Sequence, residues 1–125
     1  MNYDLLITYP VYILYWLLFA CINPWIEEGY WRGLIIEAGK MLPKSVIILY
    51  STVLFVVSHP MMWGVFSIAN RSSQLYISLF IMGIIWSVIR FKTNSLRYSV
   101  FSHFLVDIGN MTVYVFLNLY IPPQM

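Results

Sequence analysis

Charge is what this sequence has least of. Seven Lys and Arg and five Asp and Glu amount to 10% of 125 residues, where a soluble domain carries about a quarter. A chain this poor in ions lacks the polar surface that keeps a protein dissolved. Its net charge of +2 is too small to suggest a nucleic-acid partner. Cysteine is limited to Cys21, which excludes an internal disulfide and leaves the redox compartment open. The N-terminus, MNYDLL, lacks the basic start of a secretory signal, and no A-x-A-like site follows the first apolar run. That run is therefore expected to remain as a helix. Repeats, low-complexity tracts and an HExxH zinc motif are absent as well.

What the chain has instead is apolar length. Hydrophobic residues make up 61% of it. No charge falls in Leu5 to Ile22, Ser45 to Asn70 or Ser72 to Ile89, and Tyr98 to Tyr120 holds only Asp107. Runs of about 18 residues or more cross roughly 30 Å of hydrocarbon as a helix. The expected fold class is all-α: a polytopic helical bundle in the cell membrane, with about four spanning helices plus one short charged buried helix. It is expected to form a single domain over residues 1–125, with the lipid bilayer as its first partner. Breakers at Asn23-Pro24, Gly39 to Pro43, Asn70 to Ser73 and Lys92 to Ser95 predict helices near 4–22, 25–40, 44–68, 74–91 and 95–119. Lys40 and Lys44 flank one connection and Arg90, Lys92 and Arg97 another, against Arg71 between them. This excess puts the first two connections in the cytoplasm.

Residues 25–40 are the exception among the helices. Glu27, Glu28, Arg32 and Glu37 crowd this short segment, which is expected to lie buried among the others; an interfacial amphipathic helix is the plain alternative. Glu28 and Arg32 are one turn apart in the favourable acid-first order and can neutralise each other. Gly29 and Gly33 offer a smooth strip for a neighbouring helix. Glu27 has no basic residue three or four positions on, which leaves it as the carboxylate for chemistry. Ionisable groups inside a membrane are costly and usually face a cavity or a partner.

Both histidines stand in apolar helices. His59 closes FVVSH, with Phe55 one turn earlier and Pro60 next; taken alone it reads as a packing residue beside a kink. His103 begins a stripe with Asp107 and Asn110 in SHFLVDIGN, and a carboxylate in so apolar a span points to a polar interior. Were these helices to converge, they would supply a general base, a polarising imidazole and donors for an oxyanion. Amide hydrolysis needs those parts. Cys21 has no basic neighbour in its helix to make it a nucleophile.

EEGYWR, FVVSH and HFLVD form an EExxxR, an FxxxH and an HxxxD box in that order. Together they resemble the CAAX-protease and bacteriocin-processing family, the Abi-type intramembrane proteases that include the type II CAAX prenyl endopeptidases. WRGLI and GIIWSVIRFKTNSLRYSVFSH are similar to the family's surrounding helices, and the resemblance covers about residues 5–118. It implies a glutamic endopeptidase with no obligatory metal or other cofactor. In that scheme Glu27 and His59 activate water, and His103 and Asp107 stabilise the oxyanion. Glu28 and Arg32 hold the site together while Phe55 packs behind His59. The implied partner is a peptide or protein substrate that reaches the membrane.

Asp107 stands where the prenyl-protein enzymes have Asn. An ionised carboxylate would repel an oxyanion, so Asp107 must be protonated or must orient His103, with Asn110 as another source of an amide. Family members usually carry more helices before the glutamate box, which leaves open a minimal member, a homodimer or part of a longer protein. Two rival functions remain: an inactive membrane immunity or interaction protein of the same family, and a zinc protease using His59, His103 and a carboxylate.

Overall fold

The computed structural model of the chain describes residues 3–62 and 71–119, with side chains described over 14–62 and 71–110. Among the described residues every regular element is helical, in accord with the all-α expectation. Helix α1 spans Tyr3–Glu28 and passes into a π-helical turn, Gly29–Leu34, and then α2, Ile35–Ala38. After it come α3, Lys44–Met62, α4, Ser73–Thr93, and α5, Arg97–Leu119. The end of the helix expected over 44–68 lies outside the described residues.

The expected break at Asn23-Pro24 does not occur. Pro24 sits fully buried inside α1, so residues 25–40 are no separate helix but the end of α1, the π turn and α2. An interior proline forfeits one backbone hydrogen bond, yet such breakers are tolerated in helices that neighbours surround. The ends of α4 follow the sequence signals. Ser72 caps its start by accepting from the Leu75 N–H at 3.3 Å. Asn94 closes it in the left-handed conformation, φ 50°, with its N–H on the Arg90 carbonyl.

The chain folds as two compact units, Met1–Ile26 with Val100–Met125, and Glu27–Ser99. In the second, α3 and α4 lie side by side and antiparallel: Lys44 faces Phe91, and Thr52 faces Gly83. Ile36, Ile47, Phe55, Leu79 and Trp86 are buried there, while Leu49, Val53 and Val57 of α3 and Ile77, Ile81 and Ile85 of α4 are exposed. An apolar outer face around a partly polar interior suits a lipid surround. Helices α3 and α4, 19 and 21 residues long, are apolar enough to cross a membrane.

Candidate active site

The charged cluster of the second unit is built on the π turn. Here the Ile35 N–H bonds to the Tyr30 carbonyl five residues back, where an α-helix would pair it with Trp31. The Trp31 carbonyl instead accepts the Ser51 hydroxyl of α3 at 2.7 Å. Ser51 thereby ties the turn to the neighbouring helix. Turns of this kind are rare and are often found at functional sites.

At the centre of the unit lies Arg32. Its Nη1 donates to Glu28 Oε1 at 3.1 Å, with neither side chain exposed. Glu27, also buried, acts on Arg32 electrostatically together with Glu28. Glu27 has no basic residue three or four positions on, but Arg32, five residues on, lies near enough for their charges to interact. The guanidinium carbon lies 4.3 Å from the centre of the Phe55 ring and 5.3 Å from that of Trp86. Such cation–π contacts contribute about 2 kcal/mol when desolvated. They stand in for hydrogen bonds, since Arg32 Nε and Nη2 have no hydrogen-bond partner among the described residues. The interfacial-helix alternative does not suit side chains sequestered in this way; only Glu37, further along, is exposed.

Gly83 makes room for the arginine. A Cβ at this position would lie 2.7 Å from Thr52 Cγ2 and 3.1 Å from Arg32 Nη2, so only glycine lets α4 approach so closely. Of the expected smooth strip, a Cβ added at Gly33 would lie 3.4 Å from Leu96 Cδ1, while one at Gly29 would meet nothing within 4 Å. Ser87, buried one turn beyond Gly83, satisfies its hydroxyl on the Gly83 carbonyl at 2.8 Å.

His59 is buried on α3 with its ring edge-on to Phe55, centroids 4.6 Å apart. Its Nδ1 lies 2.9 Å from the Phe55 carbonyl oxygen. A carbonyl only accepts, so Nδ1 must carry the proton. In the neutral ring Nε2 then holds a lone pair and can accept a hydrogen bond or a proton. Phe55 thus positions the imidazole twice, by its ring and by its carbonyl.

The other unit holds the HxxxD box. Asp107 Oδ1 lies 3.5 Å from His103 Nε2 within α5, and Asp107 Oδ2 accepts from Asn23 Nδ2 of α1 at 3.3 Å. Oδ2 thus has a donor, and Oδ1 faces a ring nitrogen that donates to it when protonated. His103 is buried, Asp107 partly so, and Asn110 is exposed. The Asp107 carboxylate thus lies between His103 of its own helix and Asn23 of α1. Within neither unit do three His, Cys, Asp or Glu side chains among the described residues gather closely enough to hold a metal ion.

Sequence reasoning found the boxes and missed their supports. Asn23 reads in the sequence as part of a helix breaker, and Ser51, Thr52, Gly83 and Trp86 belong to no motif. A polar or small residue recurring within a charge-free span was the available clue. Compared with known families, the chain matches the model of the type II CAAX prenyl endopeptidase Rce1-like family over residues 9–109. The chain belongs to this family. The three boxes pointed to it correctly. The Rce1-like family comprises membrane-embedded CAAX-type endopeptidases, and the match takes in all three boxes. No curated protein and no solved structure matches the chain.

Proposed function

We propose that this member of the Rce1-like family is an active glutamic endopeptidase of the cell membrane. In this reading α1, α3, α4 and α5 all span the bilayer, and the substrate is a peptide or protein that reaches it. Glu27 and His59 Nε2 accept the two hydrogens of one water and leave its lone pair for the scissile carbonyl. Glu27 takes the proton as the C–O bond forms. His103, with Nε2 turned to Asp107 and both ring nitrogens protonated in this step, donates its Nδ1–H to the oxyanion. The proton then passes from Glu27 to the leaving nitrogen, the C–N bond breaks to give a carboxylic acid and an amine, and the acid releases the water's second proton to the amine or to solvent. Glu28 and Arg32 serve as positioning residues. The observation that carries this reading is the Nδ1 bond of His59, which leaves the opposite ring nitrogen able to accept from a water.

The test uses purified protein in proteoliposomes and a panel of quenched fluorescent peptides, with and without a prenylated C-terminal cysteine motif. Glu27→Gln should abolish cleavage at unchanged protein level and unfolding midpoint. Cleavage that persists in Glu27→Gln would overturn the assignment. The zinc alternative would be favoured by stoichiometric zinc in the protein and by activity lost to chelators and restored by zinc.

A further inference from the structure

Apart from Arg32 at the centre and Arg71 just before α4, the cations of the Glu27–Ser99 unit lie on two connections at one end of it. Helix α3 begins with Lys44 and α4 ends at Thr93. The two ends lie together, with Lys44 Nζ 5.8 Å from the centre of the Phe91 ring. Arg90, one residue before Phe91, is close enough to act electrostatically on Glu37 of α2, which itself bonds Lys40 at 2.8 Å. Arg90 is also fixed in direction, since its Nη1 donates to Asn94 Oδ1 at 2.7 Å. Lys92 and Arg97 stand on the same connection. Lys40, Lys44, Arg90, Lys92 and Arg97 therefore form a rim with Glu37 as its one carboxylate.

Between the two lysines the chain exposes apolar side chains. Met41 is 91% and Leu42 49% exposed, at the tip of a turn where no helix covers them. A soluble acidic partner has no use for this tip. An interface with charged groups above and hydrocarbon below does, because lysines and arginines snorkel to phosphates while apolar neighbours sink among acyl chains. The rim also lies at the shared end of two apolar helices of spanning length, the level at which headgroups are found.

We propose that this rim binds the phosphates of anionic phospholipids, with Met41 and Leu42 inserted below them, and so anchors the second unit in an acidic leaflet. The proposal stands apart from the protease reading, since none of these side chains belongs to the Glu27, His59 or His103 machinery. It is tested on the full chain in bilayers of phosphatidylcholine with a minority of phosphatidylglycerol. The relative association of spin-labelled phosphatidylglycerol and phosphatidylcholine is read from the motionally restricted fraction. The expected preference for phosphatidylglycerol is about five-fold, falling towards parity in the Lys40→Gln/Lys44→Gln/Lys92→Gln variant. Equal association in the unmodified protein, or an unchanged preference in the variant, would overturn the proposal. Excess inorganic phosphate should reduce the preference no more than chloride at the same ionic strength. A specific loss to phosphate would identify a free-phosphate site and sink the lipid assignment. In a second measurement, a polarity-sensitive label on Met41→Cys in a Cys21→Ser background should emit as from hydrocarbon and be quenched by acyl-brominated lipid. Emission as from water, unquenched, would also refute the proposal.

Discussion

The two polar clusters of this protein are built to different standards. In the Glu27–Ser99 unit, Arg32 is held at 3.1 Å by a carboxylate, between two rings, over a glycine that leaves it no spare room. In the other unit, Asp107 reaches its two partners at 3.3 and 3.5 Å across a half-buried site. Tight contact with no slack suits a group whose work is to fix others. Looser contact suits a group that must readjust as charge develops nearby. The contrast supports the proposed division of labour, with Arg32 as a positioning residue and Asp107 working beside His103.

Replacing Arg32 should produce the largest structural effect. Arg32→Ala strands a buried carboxylate and is expected to cost about 3–5 kcal/mol, enough to lose the folded protein in detergent. Arg32→Lys should recover only part of this, because an ammonium lacks both the planar stacking face and the fork of donors. Unfolding midpoints for both variants decide the matter, and an alanine variant of unchanged midpoint would erase the contrast. Gly83→Ala is next. Its methyl meets the stiff side chain of Thr52, and the expected net loss is about 1–2 kcal/mol, after a gain of roughly 1 kcal/mol in helix propensity. A rise in stability would mean that α3 and α4 separate freely.

Asn23→Ala should sharpen the comparison from the other side. Loss of one weak donor to Asp107 is expected to cost about 1 kcal/mol or less in stability, while peptide cleavage falls by at least about ten-fold, as expected when a polarising group is misaligned. Equal, small effects on both readouts would make Asn23 a packing residue. The smallest effect belongs to the exposed Lys40–Glu37 pair. Lys40 holds the Glu37 carboxyl below its ordinary range, chiefly through their hydrogen bond, and its own ammonium is raised in return. The stabilisation from Glu37 exists above its unfolded pKa and is lost as pH falls through the depressed folded value. At this exposure, Lys40→Gln should leave the unfolding midpoint unmoved at neutral pH. A clear shift would show that the rim carries structural weight.

How much was legible follows from the range of each interaction. Glu28 and Arg32 lie one turn apart, so their pairing can be read along the chain, as can the break at Lys92 to Ser95, where left-handed Asn94 closes α4. The charge-free windows announced helices, and the boxes announced a family. The continuity of α1 through Pro24 was hidden, because a proline ends a helix only when nothing around it repairs the loss. Trp86 and Gly83 were hidden for another reason. They meet Arg32 across more than fifty residues of chain, and no local rule reports such encounters. The π turn was invisible too, since nothing in EEGYWRGLI separates five-residue bonding from four. The spacing of Glu28 and Arg32 reads the same in either.

That turn holds one residue more than the α-helical coil it replaces. An α-helix advances about 100° per residue, so one surplus residue absorbed by a wider coil lets the stretch before it and the stretch after it each keep its own phase. Losing one residue there would return the coil to ordinary pitch, but at Tyr30 or Trp31 it would also shift Arg32 from the fourth to the third position after Glu28. The widened coil is thus a one-letter slack in the reading frame of the helix, and its visible mark is the Trp31 oxygen handed over to Ser51.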